Sequence, residues 1–319
     1  MGDYKLTIQH NDTIFEPSVL DGIQLTMERR GSPSKLTFTV LKSGTLAFSE
    51  GDRVCLYYEG KGVFMGYVFT KKRTREQHIE VTAYDQLRYF QNKYTYVFAK
   101  KTASDIIKAV CADFSLNVGN IENTGYVIPS LIEENKSLFD IVLDALDETL
   151  VNTGKMYILY DNFGSIELKE LGNMATSVLI DDETAENFSY TSSIDKETYN
   201  KIVLYYIDEN TNDRIPYSTS DQVKLEQWGI LQYFEEVKVQ SMGQSKADAL
   251  LKLYCKKTRE LVINNAFGHT SVRAGSMVVV QLNLGDIITN NYMVVEKVTH
   301  KFESDHYTME LTMNGNWGG

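Results

Sequence analysis

The sequence predicts a β-rich α+β protein: two tube-like antiparallel β-barrel or sandwich domains with an α+β domain between them. Three observations predict it. Short runs of alternating apolar residues fill both ends of the 319-residue chain, and a period of two belongs to half-buried strands. Between them the apolar period changes to three and four, the spacing of one helix face. Charge divides the chain at the same places. Residues 1–98 carry 13 basic and 11 acidic side chains, 99–198 carry 7 and 18, and 199–319 carry 12 and 14. The middle segment thus holds the whole net charge of −11. The expected units are 1–98, a first β-domain; 99–198, an acidic α+β domain; and 199–319, a second β-domain with one capped helix.

In the first unit, strands are expected at 6–8, 23–29, 36–40, 54–58, 63–70 and 78–84, separated by turns such as Glu59-Gly60-Lys61-Gly62. The middle unit opens with a helix whose apolar stripe is Ala103, Ile106, Ile107, Val110, Cys111 and Phe114. Thr102 and Asp105 have the spacing of a capping box, in which hydroxyl and carboxylate satisfy free amides. Ser137 and Asp140 repeat the device before Leu138, Ile141, Val142, Ala145 and Leu146. A hairpin follows over 155–168. The third unit begins with a strand at 201–206 and a helix-like piece at 221–228. A strand at 230–239 and a helix from Ser245 come next. Strands at 261–263, 276–282, 292–300 and 306–313 complete the chain.

Composition limits function. A hydrophobic content of 43% with 24% charged residues suits a folded globular chain. Four prolines against twenty tyrosines favour strands and tight turns over flexible linkers. An acidic balance argues against a general nucleic-acid binder, which needs basic surface to displace phosphate counterions. No apolar window reaches the roughly 18 residues of a membrane span, so no membrane insertion is expected, and residues 1–6 lack an export signal's apolar core. Cys55, Cys111 and Cys255 are far apart and lie in apolar patterns, as buried thiols of a reducing cytoplasm would.

No catalytic motif stands out. There is no HExxH, GxSxG, P-loop or CxxC pair. Gly60, Gly62 and Gly66 have the wrong spacing for a dinucleotide site and fit a hairpin turn. His300 and His306 flank one hairpin and could approach each other, but no third ligand is evident. Glu133-Glu134 and Glu235-Glu236 are adjacent on strands, so their carboxylates point to opposite faces and cannot flank one glycosidic bond. Glu235 and Glu236 read as an exposed strand end. Asp181-Asp182-Glu183 lacks EF-hand spacing and reads as a solvated turn. Asp144, Asp147 and Glu148 occupy a helix's polar side. Catalytic, cofactor and metal residues are therefore none. Aromatics mark the candidate partner interface: Trp228, Tyr233, Phe234, Tyr58 and Tyr205. Core packing is the competing reading. Of Tyr57-Tyr58 and Tyr205-Tyr206, one residue of each pair should face outward.

The two ends share a pattern. Val54, Leu56 and Tyr58 after Gly51 correspond to Val278, Val280 and Leu282 after Gly275, an offset of 224. Tyr67 and Phe69 correspond to Tyr292 and Val294 at 225, and His78, Ile79, Val81 and Ala83 to His306, Tyr307, Met309 and Leu311 at 228. Either the chain contains an internal duplication, or two three-strand meanders happen to align.

Several stretches carry a resemblance: Trp228-Gly229-Ile230-Leu231-Gln232-Tyr233; the helix with Leu250, Leu251 and Tyr254; Arg273-Ala274-Gly275-Ser276; 292–300; and 307–311. Their order resembles the baseplate hub proteins of contractile phage tails. It is most similar to the hub of PBSX-type prophage elements and phage-tail-like bacteriocins, and more distantly to the late control protein D and T4-type hub family. The resemblance implies a non-enzymatic homotrimer that needs no cofactor. Two tube-like domains per chain would make a pseudo-six-fold ring joining a hexameric tail tube protein to a trimeric spike. With the chain ending at Gly319, the spike is expected to be a separate protein. Other baseplate or LysM-type tail proteins are further expected partners. DNA would pass the lumen without specific binding; alternatively, the acidity only maintains solubility. The expected location is the bacterial host cytoplasm during assembly and then the particle baseplate. Two other readings remain: a tail-associated peptidoglycan hydrolase with no recognisable motif, and a small monomeric binding adaptor.

Overall fold

The computed structural model describes residues 4–20, 22–42, 44–73, 77–184, 187–208, 211–237, 239–284 and 288–315. Its first strands are β1 (Tyr4–His10), β2 (Thr13–Phe15), β3 (Ile23–Glu28), β4 (Lys35–Leu41), β5 (Arg53–Tyr58), β6 (Lys61–Arg73) and β7 (His78–Tyr84). Each alternates as its sequence does. In β4, for example, Leu36, Phe38 and Val40 are buried while Lys35 and Leu41 are exposed. The β5–β6 hairpin turns on Glu59 and Gly60, whose φ angles of 48° and 75° are those of a two-residue turn matching strand twist.

Next come β8 (Lys93–Thr102), α1 (Ala103–Asp113), β9 (Val118–Ile121), β10 (Val127–Ser137), α2 (Leu138–Thr153), β11 (Tyr157–Asp161) and β12 (Ile166–Glu170). Both predicted helix starts are present. Thr102 and Asp105 exchange the two bonds of a capping box, and the Ser137 hydroxyl accepts from Asp140 N at 3.1 Å. Gly154, left-handed at φ 72°, ends α2. The helices and strands of this segment enclose their own core, including Ile106, Val110, Leu138, Ile141 and Ile166.

The remainder comprises β13 (Ala175–Asp181), β14 (Asn187–Ser193), β15 (Lys201–Ile207), β16 (Arg214–Ser220), α3 (Gln222–Trp228), β17 (Gln232–Glu236), α4 (Gly243–Tyr254), β18 (Thr258–Phe267), β19 (Met277–Asn283), β20 (Ile288–Phe302) and β21 (Tyr307–Asn314). The α4 helix begins two residues before Ser245 and has no side-chain cap. The Ser245 hydroxyl instead donates to the Met242 carbonyl at 3.0 Å. Strands β15, β16 and β17 form a separate sheet packed on α4 around Ile202, Leu204, Ala247 and Leu250.

The flanking strands join in one 13-stranded sheet with a single hydrophobic core. Within it, β1-β5-β6-β7-β4-β3 and β13-β19-β20-β21-β18-β14 follow the same order. Thus β13 and β14, within residues 99–198, pair with strands of the last third. Gly51 N donates to Val68 O and Val68 N to Asp52 O, at 2.8 and 2.9 Å; Gly275 N to Val295 O and Val295 N to Ser276 O do the same at 2.7 and 2.9 Å. Gly51 and Gly275 have φ of 91° and 89°. A bulge follows Val68 in β6 and Val295 in β20. One strand departs from the match: β1 is antiparallel to β5, whereas β13 is parallel to β19.

The structural register corrects two of the offsets read from sequence. Arg53 faces Tyr67 where Met277 faces Val294, so β6 and β20 correspond at 227. Val68 faces Ala83 where Val295 faces Met313, so β7 and β21 correspond at 230. Each sequence value is short by two residues. A two-residue slip leaves every side chain on its own face, so alternation cannot detect it.

The two halves meet where β20 pairs antiparallel with β3, from Lys297 opposite Glu28 to Phe302 opposite Ile23. Arg29 extends the join, its N donating to Glu296 O at 2.8 Å and its Nε to Glu296 Oε2 at 2.7 Å. Gly51 and Gly275 give a paired test of the matched corners. A Cβ at Gly51 meets open space, whereas one at Gly275 lies 2.4 Å from Ile158 Cγ2. In chemical denaturation, Gly51→Ala should cost about 1 kcal/mol from positive φ alone, and Gly275→Ala about 3 kcal/mol because overpacking is added.

Candidate functional site

Three segments of the chain converge on a buried ionic joint. Asp85, after β7, accepts from Ser34 N and Leu87 N, each at 3.0 Å. Asp161, the last residue of β11, accepts from Gly164 N at 2.7 Å. Arg273, two residues before Gly275, lies 3.8 Å over the Tyr160 ring and donates to Asp161 O at 2.8 Å. Burial, then repulsion from Asp161, pushes the Asp85 carboxyl up to about 7. Burial likewise raises Asp161 to about 6, opposed by its hydrogen bonds and by Arg273. Two carboxyls and one guanidinium buried together are electrically balanced when one carboxyl keeps its proton. Among the described residues, Asp161 Oδ2 and Arg273 Nε lack a hydrogen-bond partner. Asp85 is only 1% exposed and Asp161 7%, so the pair holds segments together and is closed to a polymeric substrate.

Carboxylates assigned to a helix's polar side also tie segments together. Asp147 receives two bonds from Arg30, at 2.9 and 2.6 Å, and Glu148 receives Lys246 of α4 at 3.3 Å. Glu133 is buried and Glu134 exposed, as opposite strand faces require. Glu235 is not a bare strand end: it accepts from Tyr233 Oη at 2.9 Å and from Lys246 at 3.4 Å. The Asp181 carboxylate caps its own turn, accepting from Glu183 N and Thr184 N at 3.1 and 2.9 Å. His300 is buried against Tyr307 Oη at 2.9 Å, and burial lowers its pKa to about 4. His306 instead meets Glu303 and Asp305, both at 2.5 Å, so the two histidines do not converge. Cys55 and Cys111 are buried, and Cys255 half-buried. Among the described residues, no helix is long and apolar enough to cross a membrane.

The five expected interface aromatics do not form one patch. Phe234 is 58% exposed on β17 and stacks on Tyr205 of β15 at 5.0 Å, while Arg214 covers the other ring at 5.2 Å. Tyr233 points the opposite way, into an aromatic group with Tyr199 and Tyr254. Trp228 ends α3 beneath Lys224 and lines a groove with Tyr190, Arg259 and Tyr292. Buried Asn200 positions that turn by donating to Gly229 O at 2.7 Å and accepting from Leu231 N at 2.9 Å. Tyr58 lies elsewhere, packed on Phe302 and Tyr307 at the join between halves. Tyr57 is covered by Phe163 at 5.4 Å, so the expected outward tyrosine is already partnered within the chain.

Sequence reading missed the Asp85–Asp161–Arg273 joint. Its members are 76 and 112 residues apart, and each alone resembles a turn residue. The signal was present in Arg273-Ala274-Gly275-Ser276, read only as the start of a strand.

This continuous sheet built from two like halves, with an α+β segment between, is a fold shared with solved tail proteins. A solved 43 kDa prophage MuSo2 tail protein from Shewanella oneidensis matches with a TM-score of 0.71 at 12% identity, over 97% of this chain and 98% of that one. The chain belongs to the YQBQ-like family, whose model matches residues 23–314. It is 30% identical to YqbQ of Bacillus subtilis over 92% of this chain and 91% of that protein. It is also 30% identical to the phage-like element PBSX protein XkdQ of Bacillus subtilis, over 94% of each. These matches bear out the resemblance to PBSX-type elements.

The ionic joint has a pH signature. Each carboxyl holds its proton more tightly folded than unfolded, so its stabilising contribution is full below about 4 and is lost as pH rises to about 7. Unfolding free energy should therefore fall by about 4 kcal/mol from this joint between pH 5 and 8, and by less in Asp161→Asn. Denaturant titrations of both proteins across that range measure the difference.

Proposed function

We propose that the protein is a structural component of a phage-type tail: a baseplate hub acting through shape and symmetry, without turnover. The observation that carries this reading is the repeated strand order, β1-β5-β6-β7-β4-β3 and β13-β19-β20-β21-β18-β14, joined through β20 and β3. Each repeat serves as one tube-like β-domain. Three chains then supply six such domains, and a closed ring has near-six-fold symmetry in its β-layer and three-fold symmetry elsewhere. Such a ring joins a hexameric tube to a trimeric spike carried by a separate protein. The relationship to XkdQ of a phage-like element and the fold of a solved prophage tail protein support a place in the particle.

The α+β segment and the β15–β17 unit lie outside the repeated order. In this reading they face other baseplate proteins, of which a LysM-type protein is one, with exposed Phe234 as a contact. Assembly occurs in the host cytoplasm. DNA passes the ring without specific binding, in keeping with the net charge of −11 per chain. Absence of turnover follows from the same assignment.

Native mass spectrometry and light scattering on the full chain test the assembly, with a trimer as the expected species. Averaged electron micrographs should show a ring with six similar lobes. Hydrolysis of purified cell wall, abolished by a single acidic substitution, would replace the structural reading with an enzymatic one.

A further inference from the structure

The internal join provides a template for the contact between chains. In the second half, β20 pairs first with β19 along 288–294 and then with β3 along 297–302, while β21 lines its other side. In the first half, β6 pairs with β5 along 61–67 and with β7 along 67–73. The side of Thr70, Lys71, Lys72 and Arg73 corresponding to that filled by β3 has no strand beside it among the described residues. The counterpart of β3 is β14: Leu25 faces Leu36 as Tyr190 faces Leu261. Among the described residues, strand β14 ends the sheet, paired with β18 on one side. The chain therefore displays both halves of a join that it makes once internally.

We propose that β6 of one chain pairs antiparallel with β14 of a second copy, in the register of β20 with β3. This rests on the hub reading above and specifies how its ring closes. Carrying over the 227 and 165 offsets puts Thr70 opposite Ser193, Lys71 opposite Ser192, Lys72 opposite Thr191 and Arg73 opposite Tyr190. Three internal joins and three between chains then alternate around a closed ring. An open strand edge is a ready template for another chain, and backbone pairing supplies the contact.

Side chains fit this partner. Tyr190 Oη and Arg259 Nη1 are buried without a hydrogen-bond partner among the described residues, and both lie on or beside β14. Arg73 of the neighbouring chain would lie directly across from Tyr190, within reach of cross-strand contact. Lys71, Lys72 and Arg73 give the β6 edge a positive run, and the turn before β14 carries Asp181, Asp182 and Glu183. Antiparallel pairing directs the basic run toward that acidic turn. Lysines on an edge deter indiscriminate pairing, and Lys72 is held by Glu80 of its own chain at 3.0 Å, which leaves Arg73 nearest the acidic end of the partner strand.

The internal pair equivalent to Lys72 and Thr191 is Thr299 with Thr26, whose hydroxyl oxygens are 3.2 Å apart. Facing cysteines at such a position are close enough for a disulfide. The test is oxidative cross-linking of the full chain carrying Lys72→Cys, Thr191→Cys and Cys255→Ser, with light scattering of the same sample. A Lys72→Cys, Ser189→Cys protein tests a register slipped by two residues. The proposal expects bonded dimers and trimers on denaturing gels for the 72/191 pair, ending at the trimer, and little for 72/189. Linkage through 72/189 overturns the register. A trimer linked by neither pair overturns this seam while leaving the hub reading in place. A chain that stays monomeric overturns both.

Discussion

An exposed strand edge is a row of unsatisfied amides and carbonyls, and covering it is the constraint on which this structure turns. The antiparallel pairing of β20 with β3 meets it between the two halves. Without that pairing the first and last β-segments would be separate half-sheets, each with a long open flank. With it they form one sheet around one core. Arg29 and Glu296 reinforce the seam at its end, and Phe302, Tyr307 and Tyr58 fill the angle beside it. The join couples residues more than 260 positions apart, so the β-scaffold is complete only when both ends of the chain are present.

The middle of the chain is attached by different means. It has its own apolar core, and it meets the β-scaffold through an apolar cluster, Ile158, Leu171 and Met174 with Val294, and through charged and aromatic groups: Asp85 with Asp161 and Arg273, Arg30 with Asp147, and Tyr57 with Phe163. Such contacts are directional, and a partner removed from a buried ionic group leaves a costly unpaired charge. They fix orientation between surfaces already folded. A segment held this way can vary in outline while the repeated sheet keeps its geometry.

Much of the local structure was legible in the sequence. The alternation of Leu36, Phe38 and Val40, and of Val278, Val280 and Leu282, identifies strands because one face is buried. Thr102 with Asp105 and Ser137 with Asp140 mark helix starts because capping needs only neighbouring atoms. Less was visible where distant residues meet. Strands β13 and β14 sit in an acidic stretch whose polar side chains gave little alternation, and their pairing with β19 and β18 supplies the order. Of the interface aromatics, Tyr205 and Phe234 come together, whereas Tyr58 serves the internal seam. Alternation assigns a residue to a face and cannot say what covers that face.

By itself the sequence determined strand and helix positions, the acidity of the middle segment and a likeness between the two ends, all encoded within a few residues of one another. Only the tertiary structure decided the register of that likeness. Slips of two residues preserve the inward set, and the bulges after Val68 and Val295 choose among them. Only it brought Asp85, Asp161 and Arg273 to one buried point. It also decided which edge is filled within the chain and which is left open, because backbone pairing carries no side-chain signature and depends on where the rest of the chain places each strand.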